Sequence, residues 1–343
     1  MDHEQGGSLL SLFSYAAAQG FIRARLSRLL DQTTWTRLLE ADSLSELGQF
    51  HGQTLLAADG QVFLQNLRGE IAAAGCTLVR FLPRRAGDLL AWYNQRFEIE
   101  NLKVILRIVH YRLDRRRAAG SLIPLPSHRW RWGAMVEAES IPDVIEGIHD
   151  SPYARPLEHA MERYRQEHRL FYLEVALDLF YFQRLVNLIE LQGRGEAADA
   201  RQFLGRWIAI QNLLWAYRYR IYGRMTPEEI INYTLHRAFR AGLDTVRRVA
   251  LGSSLPVEGG RLGFQISPEL SEPEGLTRVE FLAEQERFRY ATAAIGRPLF
   301  SLRGVFAYLW LLEAEIRDLI VIVEGKQIGW TSAEIRRWMV RAA

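Results

Sequence analysis

Glu98-Ile99-Glu100-Asn101-Leu102-Lys103-Val104-Ile105-Leu106 is the stretch on which the reading of this chain turns. Its pattern returns twice. Ala209-Ile210-Gln211-Asn212-Leu213 is followed by Ala216 and Tyr217, and Glu315-Ile316-Arg317-Asp318-Leu319 by Ile322 and Val323. Asn101 and Asn212 are 111 positions apart, and Asn212 and Asp318 are 106 apart. Recurrence at that spacing predicts three related helical units rather than one catalytic fold. The divisions expected are 1–113, 114–225 and 226–343, joined as one compact functional unit. Asn101, Leu102, Asn212, Leu213, Asp318 and Leu319 are the packing signature of those units. No copy carries a nucleophile, a metal cluster or a phosphate loop.

Around each copy the sequence reads as helix. Leu102, Ile105, Leu106 and Val109 fall at i, i+3, i+4 and i+7, one face of a helix, and Ile316, Leu319, Ile320 and Val323 do the same. The opposite face carries Lys103 and Arg107 in the first copy, and Arg317 and Asp318 in the third. Thr226-Pro227-Glu228-Glu229 and Thr331-Ser332-Ala333-Glu334 are capping boxes, 14 positions after Asn212 and 13 after Asp318. The first copy has Asp114-Arg115-Arg116-Arg117 there instead. A further box, Ser43-Leu44-Ser45-Glu46, opens an early helix. Helices are expected at 8–31, 60–75, 86–113, 155–191, 198–223, 227–240, 277–293, 303–325 and 332–342. Glycine and proline mark connectors at 118–135 and 252–276. A short extended piece is expected near Thr77 to Phe81. The fold class is all-α.

Composition agrees with a large packed core. The chain has 343 residues, 48% of them hydrophobic, and 24% charged, close to an ordinary globular protein. Net charge is +3 and the sequence pI is about 9.0, a mild bias that names no partner. Lys103 and Lys326 are the only lysines, so the other 41 basic residues are arginine, whose planar fork suits protein interfaces. Cys76 is the only cysteine, which excludes an intrachain disulfide and a thiolate zinc site and fits a reducing compartment. The start, Met1-Asp2-His3-Glu4, lacks the basic opening of a signal peptide. The longest apolar run, Val305 to Leu312, falls far short of the ~20 residues that span a bilayer.

Residues that could carry chemistry are few. Gly259-Gly260-Arg261-Leu262-Gly263 is a glycine loop without the Gly-Lys-Ser/Thr of a phosphate site. His149-Asp150 is the dipeptide of metal-dependent phosphohydrolases, with His110, His159 and His168 as further candidates. The Ser151-Pro152 that follows favours a turn or helix start instead. Glu98/Glu100, Glu284/Glu286 and Glu313/Glu315 are spaced i, i+2 and do not converge on a helix; they read as solvated or ion-paired charges. Glu174 and Asp178 share a face of a very apolar helix and call for Arg184 or another partner. Arg112, Arg115, Arg116, Arg117, Arg129 and Arg131, with Trp130 and Trp132, form the one pattern suited to nucleic acid.

The phrases and their surroundings resemble one family, the C-type stalk component of the prokaryotic V/A-type rotary ATPase, whose eukaryotic counterpart is lettered d. Tyr15-Ala16 with Phe21 through Leu30 is similar to the family's opening helix. Glu100 through Arg107, Glu174 through Phe182, Asn212 through Ile230, and Tyr308, Glu313, Glu315-Ile316, Gly325-Lys326 and Glu334 through Arg336 follow its signatures in order. Ala209 replaces the family's acidic residue, Asp318 stands where the other copies have Asn, and 118–150 matches least.

The resemblance implies a funnel-shaped, all-α assembly of three pseudo-symmetric lobes without an active site or cofactor. It implies a central-stalk adaptor on the cytoplasmic side of the membrane. One end would dock on the proteolipid ring, and a central socket would receive the foot of the D and F shaft subunits. The adaptor would transmit torque between ion flow and ATP turnover and would bind neither nucleic acid nor a small-molecule substrate. Arg107, Arg218 and Arg317 are the expected partner contacts. The alternative is a stand-alone helical scaffold or nucleic-acid-binding protein.

Overall fold

The computed structural model describes residues 3–41, 60–126, 130–223, 225–236, 239, 243–252, 273–295 and 301–342. Among these the chain is all-α, with no strand. The expected box at Ser43–Glu46, the loop Gly259–Gly263, Arg129 and most of the 252–276 connector lie outside the described residues.

The elements are spaced about the three phrases. Helices α1 (His3–Leu26) and α2 (Gln32–Glu40) come first. The first phrase is set in α3 (Gly60–Val79), α4 (Arg84–Asn94), α5 (Arg96–Tyr111) and α6 (Arg115–Ala119). Then come α7 (Trp132–Val136), α8 (Ile141–Glu146) and α9 (Ala154–Glu167). The second phrase is set in α10 (Phe171–Glu190), α11 (Arg194–Ala200), a π-helical turn (Arg201–Gly205), α12 (Arg206–Ile221) and α13 (Pro227–Asn232), followed by α14 (Leu243–Ala250). The third is set in α15 (Pro273–Ile295), α16 (Leu302–Gln327), α17 (Ser332–Trp338) and a final 3-10 turn, Val340–Ala342.

Asn101, Asn212 and Asp318 serve as landmarks. A long helix ends 22, 22 and 23 positions before them, and a short helix begins 14, 15 and 14 positions after them. The landmark helix is broken at Gln95 in the first copy, carries the π turn in the second and is continuous in the third. The single helices expected over 86–113 and 155–191 are therefore each two. Gln95 closes α4 with its N–H donating to Trp92 O, and His168 ends α9 in the left-handed region at φ 51°. The helix expected over 227–240 ends at Asn232. The extended piece expected near Thr77 is helical instead: α3 runs to Val79, and the Thr77 hydroxyl donates to Ala73 O at 2.9 Å.

Helix ends follow from residue chemistry. The two expected boxes that fall on described residues form. Glu229 N donates to Thr226 Oγ1 at 3.3 Å while Thr226 N donates to Glu229 at 3.0 Å, and Thr331 with Glu334 repeats the exchange. Helix α6 starts at the matching position, Arg115, with Ala118 N donating to Asp114 O at 2.9 Å. Eleven positions after the landmark, Arg112 (φ 50°) and Gly329 (φ 81°) close α5 and α16 in the left-handed conformation. The next N–H in each case, of Leu113 or Trp330, donates back to Ile108 O at 3.0 Å or Gly325 O at 2.8 Å. Only glycine takes that conformation without steric cost. Arg112→Gly is thus expected to raise stability by about 0.5–1 kcal/mol and Gly329→Ala to lower it by about 1 kcal/mol; urea midpoints of the two variants check both signs.

One hydrophobic core runs through all these helices. The N-terminal elements are fastened to the C-terminal ones by polar bonds. Leu30 N donates to Glu315 Oε2 at 2.8 Å, Lys326 Nζ donates to Leu39 O and Ala41 O at the end of α2, and the Ser332 hydroxyl donates to Leu39 O at 2.8 Å.

Candidate partner-binding cavity

Each landmark side chain is fully buried, 0% exposed, and grips main chain 22–23 positions further on. Asn101 Nδ2 donates to Ile123 O at 2.9 Å while its Oδ1 accepts from Ile123 N at 2.7 Å. Asn212 makes the same pair with Leu235, at the same two distances. Asp318 has two acceptors and no donor, and accordingly meets two N–H groups, Val340 at 2.7 Å and Arg341 at 3.1 Å. Asp318, expected on a polar face, is therefore interior. Leu102, Leu213 and Leu319 beside the landmarks are buried as well.

Burial raises the Asp318 carboxyl pKa, and the two backbone donors with Arg317 and Arg341 only partly offset it, leaving it at about 6. A folded-state value above the ordinary 3.8 means the folded chain holds the extra proton. Stability from this source is full below about pH 4 and is lost as pH rises through 6, by about 3 kcal/mol. Asp318→Asn is expected to remove that slope, which stability curves of both proteins between pH 4 and 7 will read.

The phrase helices α5, α12 and α16 present matching positions to one open cavity of about 740 Å³. Five positions before the landmarks stand Arg96, Trp207 and Glu313, and two before them Ile99, Ile210 and Ile316, isoleucine in every copy. One before them stand Glu100, Gln211 and Arg317, and two after them Lys103, Leu214 and Ile320. The first of these layers converges. Arg96 pairs with Glu313 and its guanidinium lies 6.0 Å from the Trp207 ring centre. Arg287 from α15 reaches the other Glu313 oxygen at 2.6 Å and Glu284 at 2.9 Å. Tyr93 Oη donates to Glu313 at 3.0 Å, and accepts from Arg96 at 2.7 Å. Burial alone would raise the Glu313 pKa, but the two guanidiniums and their hydrogen bonds hold it down at about 2. Burial pulls both guanidiniums down, but Glu313 keeps Arg96 above the ordinary value, and Glu284 followed by Glu313 does the same for Arg287.

Beyond the convergent layer, α5 is paired to α10. Lys103 pairs with Asp178, and Arg107 Nε donates to Glu174 Oε1 at 2.6 Å. The partners of Glu174 and Asp178 thus come from α5; Arg184 instead stacks its guanidinium over Trp92 at 4.5 Å. Glu100 is open to the cavity yet walled by protein, and burial raises its carboxyl pKa against the attraction of Arg96, Arg68 and Lys103. Of the three arginines expected to meet a partner, Arg218 and Arg317 line the cavity and Arg107 is exposed outside that lining. Arg218 pairs with Glu280, while Arg317 lies 5.4 Å over Phe281.

The other candidate chemistries stay apart. No three His, Cys, Asp or Glu side chains among the described residues could hold a metal ion. His149 Nδ1 lies 2.9 Å from Glu146 O. Trp130 is 7% exposed, packed in the core rather than offered to a base, and Arg115 pairs with Glu137 at 3.1 Å. No helix among the described residues is long and apolar enough to cross a membrane.

Among the described residues, ion pairs, main-chain clamps and an open cavity are what the three landmark helices build. A family model described as the ATP synthase (C/AC39) subunit matches residues 18–338, and the chain belongs to that family, a structural rather than catalytic part of the synthase. It is 22% identical to the C subunit of the A-type ATP synthase of Methanosphaera stadtmanae over 97% of this chain and 89% of that one. The corresponding C subunit of Methanocaldococcus jannaschii is 24% identical over 97% and 88%, and that of Halorubrum lacusprofundi 24% over 93% and 95%.

Proposed function

We propose that this chain is the non-catalytic central-stalk adaptor of a V/A-type rotary ATPase, a peripheral component on the cytoplasmic side of the membrane. It links the D and F shaft subunits to the proteolipid ring and transmits torque between ATP turnover and ion transport. The observation that carries this reading is the cavity onto which three landmark helices turn the same positions. Such a cavity suits the foot of a shaft, and the buried ion pairs at its convergent layer suit a part that must not yield under load. The units 1–113, 114–225 and 226–343 are then three pseudo-symmetric lobes of a funnel. The first two clamps join consecutive lobes, because Ile123 and Leu235 belong to the next lobe in each case. Arg107, Arg218 and Arg317 are the arginines we assign to partner contact.

Co-expression of the full chain with D and F from the same genome tests the reading. A stoichiometric complex on size exclusion is expected. A folded, helical chain that elutes alone overturns the socket assignment.

A further inference from the structure

We infer that Glu100, Gln211 and Arg317 form an azimuthal key, which lets the inserted shaft foot seat in one rotational setting out of three. The inference rests on the shaft-socket reading above. These three residues occupy the same position, one before the landmark, on three helices that line one cavity. A cavity with repeated walls would accept a foot in three settings about equally, and torque would then slip between them.

The walls must therefore differ, and the difference must be available to a partner. In the convergent layer Arg96 and Glu313 also differ in charge, but they neutralise each other inside the chain. Two positions after the landmark, Lys103 is taken up by Asp178, and Leu214 and Ile320 are both apolar. The intervening layer carries an acid, an amide and a base. Among the described residues, Glu100 makes no hydrogen bond or ion pair, and Arg68 attracts it from α3 without bonding it. Gln211 makes no hydrogen bond to a described residue, and Arg317 forms no ion pair with a described carboxylate: it attracts Asp318 without bonding it, and meets the Trp338 carbonyl at 3.5 Å and the Phe281 ring. Like charges brought together in a partly desolvated site are strongly disfavoured, so complementary charge fixes register more than it adds affinity. The occupant that fits is a protein segment with a basic side chain toward Glu100 and an acidic one toward Arg317.

The test is the paired swap Glu100→Arg with Arg317→Glu in the full chain, titrated calorimetrically with purified D–F complex. The swap leaves net charge unchanged and reverses the pattern. Binding weaker by roughly 100-fold or more than wild type is expected from a swap whose cooperative thermal unfolding shows that it is folded. Binding within about threefold of wild type overturns the key while the socket reading stands. A wild-type chain that does not bind D–F overturns the socket reading and the key with it. If the swap fails to fold, Glu100→Gln and Arg317→Gln singly carry the test, each expected to weaken binding roughly tenfold. Binding by both at wild-type strength has the same overturning force.

Discussion

Glu313→Gln is expected to destabilise the chain by about 3–5 kcal/mol, the largest effect that a single substitution in the cavity wall should have. Glutamine keeps the length of the side chain and removes its charge. Arg96 and Arg287 would then hold two positive charges in a protein interior with no anion between them. Neither can shed its proton, since a guanidinium does not deprotonate in proteins. Glu284 would still reach Arg287 at 2.9 Å, which sets the effect below that of two wholly abandoned charges. The wild-type network also has a pH signature. The Glu313 value of about 2 lies below the ordinary 4.5, so its contribution is complete above about pH 4.5 and is lost as pH falls through 2. Denaturation curves of wild type and variant should converge in acid and stand furthest apart at neutral pH. Curves separated by less than 1 kcal/mol at pH 7 would show that the guanidiniums are solvated through the cavity after all.

Asn212→Asp carries the second large effect, and a distinctive one. An aspartate at this position keeps the acceptor for Leu235 N, but turns a carboxylate oxygen toward Leu235 O where the amide had donated. Two acceptors face each other in a site that is 0% exposed. Loss of the donor and the buried repulsion together are expected to cost about 2–5 kcal/mol at pH 7. Protonation supplies an O–H that can donate to the carbonyl, so the variant should regain stability as pH falls toward 4, opposite in sense to the Glu313 network. Asn212→Ala loses both bonds and has nothing to titrate, so its deficit should stay flat with pH. An Asp variant whose deficit is equally flat would sink this account. The comparison also explains why Asp318 differs from the other two landmarks: its partners are two N–H groups, which an amide could not satisfy.

Much of this is legible in the sequence, because the fold repeats itself and repeats are visible without structure. The phrase spacing locates the landmarks, and the Thr-x-x-Glu boxes locate α13 and α17. The breaks at Gln95 and His168 are not legible. Neither position is glycine or proline, and a left-handed histidine or arginine leaves no mark in residue type. Arg107 stands out in the sequence but its pairing with Glu174 does not, although a signal exists. Lys103 and Arg107 are spaced i, i+4, and so are Glu174 and Asp178; the pairs form in reverse order, as antiparallel helices require. The convergent layer is the harder part. Arg96, Trp207 and Glu313 share a position but no chemistry, so only alignment by distance from the landmarks brings them together.

The clamps also bear on the order in which the chain assembles. Each closes a stretch of only 22–23 residues, so its closure needs only neighbouring sequence. The Arg96–Glu313 contact spans 217 residues, and the Glu315–Leu30 contact 285. Closing the longer loops costs about 2 kcal/mol more chain entropy, which earlier closure of the clamps can lower. Local closure first and long-range ion pairing last is the route that chain entropy favours. Stopped-flow kinetics should then show Glu313→Gln accelerating unfolding with little change in refolding, and Asn212→Ala slowing refolding.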